Sequence, residues 1–145
     1  MAGQREQIMQ ALLARLAAAY PFAVVGRRNP KPDSIARPGE PALFLLKHHE
    51  FHKTSSPSVP PKRSMTVMAM VYFDAGDDPN VIPDALINAM TDSLDAALRP
   101  DDPLSGRCTL GGLCESAQIS GQTTNAPGDQ TGKALAIIPI EIVLP

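Results

Sequence analysis

The residues best suited to chemistry lie in a single run, His48-His49-Glu50-Phe51-His52. On an extended strand alternate side chains share a face about 6–7 Å apart, which would align His48, Glu50 and His52. Two imidazoles and a carboxylate are a ligand set for a divalent metal. The helical zinc motif H-E-x-x-H, however, needs its histidines at i and i+4 on one helix face. This run instead continues an apolar, strand-like segment, ALFLLK, and the sequence offers no evident partner to orient the imidazoles. It therefore reads as the polar end of a strand, with metal binding as the alternative.

Other reactive groups are sparse. Cys108 and Cys114 flank a Gly-Gly and are expected to be reduced bystanders, although whether they pair stays open. Neither sits in an evident basic setting of the kind that activates a nucleophilic thiolate. The chain has no phosphate-binding glycine loop ending in Lys-Ser/Thr and no G-x-S-x-G elbow. With only Tyr20 and Tyr72 and no tryptophan, a base-stacking platform for single strands is poorly supplied. Met65, Met68 and Met70 read as core filler along a strand. These observations favour a protein that is not an enzyme and needs neither cofactor nor metal.

Charge is divided along the chain. Residues 1–63 carry ten Lys/Arg against four Asp/Glu, a net +6, whereas residues 64–145 carry three against eleven, a net −8. Such a split suits a nucleic-acid-binding half, or a polar subunit packing head-to-tail with copies of itself. The basic residues are scattered among prolines without aromatic interleaving, which favours self-association. Seven of the fifteen prolines gather in residues 26–41 and 54–61. Too little chain precedes either stretch to fold alone, so both are long loops within one domain, residues 1–145. No apolar run is long enough to span a membrane. The N-terminal segment is broken by Gln10 and Arg15 and reads as an amphipathic helix, not a signal peptide, so the protein is expected to stay in the cytoplasm where it is made.

The elements follow from periodicity. Ile8, Leu12 and Leu16 make one face of a helix over 5–19, stopped by Pro21. A short strand follows at 22–25. Residues 42–53 and 64–74 form two strands joined by a proline-rich tip. In the second strand, Met65, Val67, Ala69, Val71 and Phe73 point to one side, and Thr66, Met68, Met70 and Tyr72 to a softer second face. Strands of this length run roughly 40 Å, across the whole of a domain whose radius of gyration is near 15 Å. The hairpin should therefore project as an arm. A second helix is expected over 79–98, with Leu86, Met90 and Leu94 inward. Strands over 113–120 and 133–143 complete the chain, separated by a polar loop at 121–132. Pro139 implies that the last strand lies at an edge or carries a bulge. The expected fold is α+β: a mainly antiparallel sheet of about five strands, two helices on one face, order α-β-β-β-α-β-β, with a long β-hairpin arm.

This order, the terminal stretch LGGLCESAQISGQTTNAPGDQTGKALAIIPIEIVLP and the opening REQIMQALLARLAA resemble the lambda-type tail terminator and tail-completion family of long-tailed bacteriophages. The resemblance spans the whole chain as architecture: a Gly-Gly turn before a strand, a polar loop, then a hydrophobic strand of A-x-x-x-P-I-E-I type. It implies a homo-oligomer, a hexameric ring in the virion at the head-proximal end of the tail. Such a ring ends tube polymerisation, meets the tail tube protein and then docks a neck or head-completion protein. DNA would pass through the lumen without specific binding. A neck or head-closure ring is the nearest alternative, and a small nucleic-acid-binding module the alternative from another class.

Two residue sets carry these expectations. The arm residues Phe51, His52, Lys53, Val59, Lys62 and Arg63 are expected at a subunit interface. The acidic residues Asp77, Asp78, Asp101, Asp102 and Asp129 are candidates to face a lumen and repel phosphate; each also has an ordinary reading as a helix cap or turn residue.

Overall fold

A computed structural model describes residues 3–28, 39–54, 56–59, 61–76, 78–126 and 133–145. Asp77 and Asp129 therefore lie outside the described residues. The elements are α1 (Gln4–Ala19), β1 (Val24–Gly26), β2 (Ala42–Lys53), β3 (Lys62–Asp74), α2 (Pro83–Ala97), β4 (Ser116–Ile119), β5 (Thr124–Ala126) and β6 (Lys133–Val143). The fold is α+β, and the expected element order holds, with one further short strand, β5, inside the segment read as a loop.

The sheet runs β1-β2-β3-β6-β4, with β5 also on β6. All pairings are antiparallel except β1 with β2, where Val24–Gly26 lies parallel to Ala42–Phe44. Strand alternation then sorts the side chains. Leu43, Leu45, Val67, Ala69, Val71, Ile138 and Ile140 are fully buried in the layer that also contains Ile8, Leu12 and Leu16 of α1 and Ile87, Met90 and Leu94 of α2. Both helices thus cover one face, each with apolar residues three or four apart. On the second face Ala42 and Phe44 gather Val24, Met70 and Tyr72 into a smaller cluster, with the Phe44 and Tyr72 rings edge to face at 5.8 Å.

Two boundaries differ from expectation for identifiable reasons. α2 begins at Pro83 instead of 79. The Asp78 carboxylate accepts the Asn80 N–H (2.9 Å) and its carbonyl accepts the Val81 N–H (3.2 Å), which makes a turn. Pro83 then occupies the first helical turn, where its missing N–H costs nothing. Met90 and Leu94 face the core as expected, together with Ile87, while Leu86 is half-buried beside them. β4 starts at Ser116 because the turn made by Leu110, Gly111 and Gly112, all at positive φ (52°, 73° and 93°), runs on to Cys114, whose N–H is tied back to the Thr109 carbonyl (3.1 Å).

Pro139 is not at a sheet edge. It pairs with Met68 on one side, and its carbonyl accepts the Ser120 N–H (3.1 Å) on the other. That second side is where β4 ends and β5 has not begun. The missing N–H falls at a break in the neighbouring chain, so a proline is tolerated in a central strand.

Candidate assembly surface

The second half of β2 leaves the covered layer. Ala42–Leu45 are buried, whereas Lys47, His48, His49, Phe51, His52 and Lys53 are exposed. β1 pairs only with the first three residues of β2, so beyond Phe44 no strand among the described residues pairs with this outer edge. On its inner side the pairing with β3 continues to Lys53–Lys62, interrupted by one irregularity between Lys47 and His49. Pairing of β6 with β3 ends at Val143–Ser64, with one further bond from the Leu144 N–H to the Arg63 carbonyl (2.9 Å). The described residues of the tip, 53–54, 56–59 and 61–62, therefore lie past the end of the β3–β6 pairing.

The bulge rearranges the histidine run. It inserts His48 outside the alternation, and the His48 and His49 rings meet through their Nδ1 atoms (2.6 Å). His48 thus turns to His49, not to the face of Glu50 and His52. Glu50 becomes the hub instead. Its carboxylate accepts from Arg5 of α1 and from Lys47 (2.6 Å), with His52 Nε2 at 3.3 Å. The bond from Arg5, and then that from Lys47, holds the Glu50 carboxyl down at about 2. This cluster fastens the root of the arm to the first helix. Among the described residues, no group of three or more His, Cys, Asp or Glu is arranged to hold a metal ion.

The six arm residues fall into three places. Phe51, 62% exposed, projects on the second face of the sheet opposite Ser64. Val59, 50% exposed, joins Lys53, Lys62 and Arg63 around a groove of about 470 Å³ whose base includes Pro61 and Leu144. His52 does not line this groove; it is paired opposite Arg63 and directed at Glu50. Glu115 is the one acidic residue at the rim.

The acidic candidates are placed apart. Asp78 is an exposed turn residue before α2. Asp101 and Asp102 organise the loop after α2. Asp101 accepts the Thr109 N–H and hydroxyl (both 2.8 Å), the Gly111 N–H (3.2 Å) and an Arg15 N–H (3.0 Å). The Thr109 N–H is the main reason its carboxyl sits well below the usual range. Asp102 accepts the Ser105 hydroxyl (2.7 Å) and the Leu104 N–H (3.1 Å), and is lowered mainly by the former. Both carboxylates are engaged within their own loop, and that of Asp101 is neutralised by Arg15. The same guanidinium contacts the buried Cys108 thiol (3.0 Å); Cys108 and Cys114 are both free, and burial raises the Cys114 thiol to about 11.

Sequence reasoning did not single out Glu50 as a hub, Asp101 as an anchor or Leu104 as an exposed apolar side chain. Glu50 and Asp101 depend on partners 45 and 86 residues away, so local spacing carries no trace of them. Leu104 left a local signal, an aspartate two residues upstream, the pattern of a side-chain-capped turn.

These features define a small α+β fold with a long hairpin, and no described helix is long and apolar enough to cross a membrane. Neither a family model nor a curated protein matches the sequence. Among solved structures, a chain from the virion of the native gene transfer agent (GTA) particle matches with a TM-score of 0.54, covering 94% of this chain and 93% of that one. Sequence identity is 13%, so what the two share is the fold over nearly their whole lengths.

Proposed function

We propose that this protein is a structural subunit of a phage-like virion, and that it forms the ring that terminates the tail tube at its head-proximal end. The observation that carries the virion role is the end-to-end match to a chain of the gene transfer agent virion. The terminator role rests further on the resemblance of the sequence to that family. The projecting, proline-tipped arm and the +6/−8 division of charge support it, because a ring needs two different faces that meet around an axis. In this reading the partners are other copies of the chain, the tail tube protein and a neck or head-completion protein. DNA passes through the lumen without being bound specifically, and the protein does no chemistry.

Negative-stain imaging of the purified protein, alone and with preformed tail tubes, tests this. The expected result is a six-fold ring with a central hole, free or capping tube ends. A protein that stays monomeric in both conditions and never caps tubes would overturn it. A neck or head-closure ring rests on the same match and is separated by binding: such a ring retains neck proteins but not tube ends. The cationic arm (Lys47, Lys53, Lys62 and Arg63) is what favours a nucleic-acid-binding module. That reading requires a shift of duplex DNA that falls steeply with added salt.

A further inference from the structure

The loop between α2 and β4 holds out a leucine that contributes nothing to the core. Leu104 is 97% exposed, yet its backbone is tightly tied. Its N–H is bound by the Asp102 side chain, the Gly106 N–H donates to the Asp102 carbonyl (2.9 Å), and the Arg107 carbonyl accepts the N–H groups of Asp101 and Asp102 (3.1 and 3.2 Å). Behind the tip, Asp101 anchors the loop to Thr109, Gly111 and α1. An apolar side chain on an ordered loop loses little further freedom when covered, and covering it removes its whole surface from water.

The groove at the foot of the arm is its counterpart. Val59, Pro61 and Leu144 supply apolar surface, and Lys53, Lys62 and Arg63 outnumber the single Glu115 at the rim. The loop tip, residues 102–106, carries one carboxylate and no cation. Shape and charge are thus opposite in the two places: an apolar knob beside a carboxylate, and an apolar hollow beside three cations. We propose that Leu104 of one copy docks in the arm-foot groove of the next copy. A knob on one copy meeting a hollow on another is a heterologous contact, which closes into a ring or extends into a filament. The proposal deepens the ring reading by naming the contact, and rests on it only for the expectation that the series closes.

Paired cysteines test the contact directly. Leu104→Cys and Val59→Cys combined in one chain, mildly oxidised, should give a ladder of disulfide-linked species on a non-reducing gel, with residue 104 joined to residue 59 by peptide mapping. Each single variant should give no species beyond a dimer. The native Cys108 and Cys114 are buried and supply little background. Because Leu104 is outside the core, Leu104→Asp should fold normally and weaken self-association in sedimentation by at least about tenfold. Unchanged association of that variant, or an associating double-cysteine protein without a 104–59 link, overturns the contact. Imaging of the unmodified protein keeps the two ideas separable: rings without the link sink the contact alone, and the link without rings sinks the ring reading alone.

Discussion

β2 contains two environments in one continuous strand. Its first four residues, Ala42–Leu45, are buried on both sides of the sheet, while Lys47–Lys53 is exposed except at Glu50. The two halves share the same partner, β3, and the same ladder, and they differ in what flanks them. Around Leu43 and Leu45 the helices and neighbouring strands remove apolar surface from water, and sequence choice there is confined to shape and volume. Around Phe51 and Lys53 backbone pairing and the Glu50 cluster hold the strand, so the exposed side chains are free to serve a contact outside the fold. If the proposed ring forms, stability and assembly are separable along a single strand, and substitutions in the two halves should fail in different ways.

The largest effect is expected in the covered layer. Ile140 is fully buried in the central strand β6, opposite Val67 of β3. Ile140→Ala should cost about 2–5 kcal/mol, through lost burial and the cavity left behind, and urea unfolding would read it. A loss under about 1 kcal/mol would mean that the layer is not the rigid half of the comparison.

Asp101 stands between the two extremes, exposed at the surface but wired into the loop that carries Leu104. Asp101→Ala leaves the Thr109 and Gly111 N–H groups without their acceptor, for a loss of about 1–3 kcal/mol. Its folded carboxyl is lowered, so its contribution is present above the ordinary aspartate range and is lost only as pH falls below it. Thermal unfolding from pH 6 to pH 2 should show the variant and the parent converging at the acid end.

Glu50 joins the halves and should matter less. Its carboxyl titrates near 2 when folded against an ordinary 4.5, so its ties to Arg5 and Lys47 act fully above 4.5 and weaken as pH falls toward 2. The cations are partly exposed, which limits Glu50→Gln to about 1 kcal/mol or less at neutral pH, smaller still at high salt. A greater loss would show that the arm root is part of the core.

What could be read in the sequence follows the same division. Ala42–Lys53 and Lys133–Val143 were legible to the residue, because each is an apolar, β-rich run that opens directly after a proline or a glycine. The start of α2 was misread because Asp78 and Pro79 imitate a helix opening, while the real first turn waits for Pro83. Pro139 was misread as an edge signal because the break that accommodates it lies in another segment, at Ser120 and Gly121. At the surface, the exposure of Phe51 and Val59 could be anticipated from the polar half of the hairpin. The diversion of His48 and His52 could not: the first depends on a bulge and the second on a carboxylate whose partner is in α1.

The smallest stability effect should accompany the largest loss of assembly. Phe51 is 62% exposed on the unsupported half of β2, opposite Ser64, and makes no contribution to the buried cluster. Phe51→Ser should change unfolding free energy by no more than about 0.5 kcal/mol, the range typical of surface positions. If the arm joins copies of this chain, the same variant should lower ring yield several-fold in imaging, since exposed aromatics are the side chains that most often anchor interfaces. A combined measurement of melting and ring yield on Phe51→Ser and Ile140→Ala sharpens the comparison. Ile140→Ala should lose ring yield only in proportion to its unfolded fraction, whereas Phe51→Ser should lose it while fully folded. If the two variants fell on one line of yield against stability, β2 would have no division of labour.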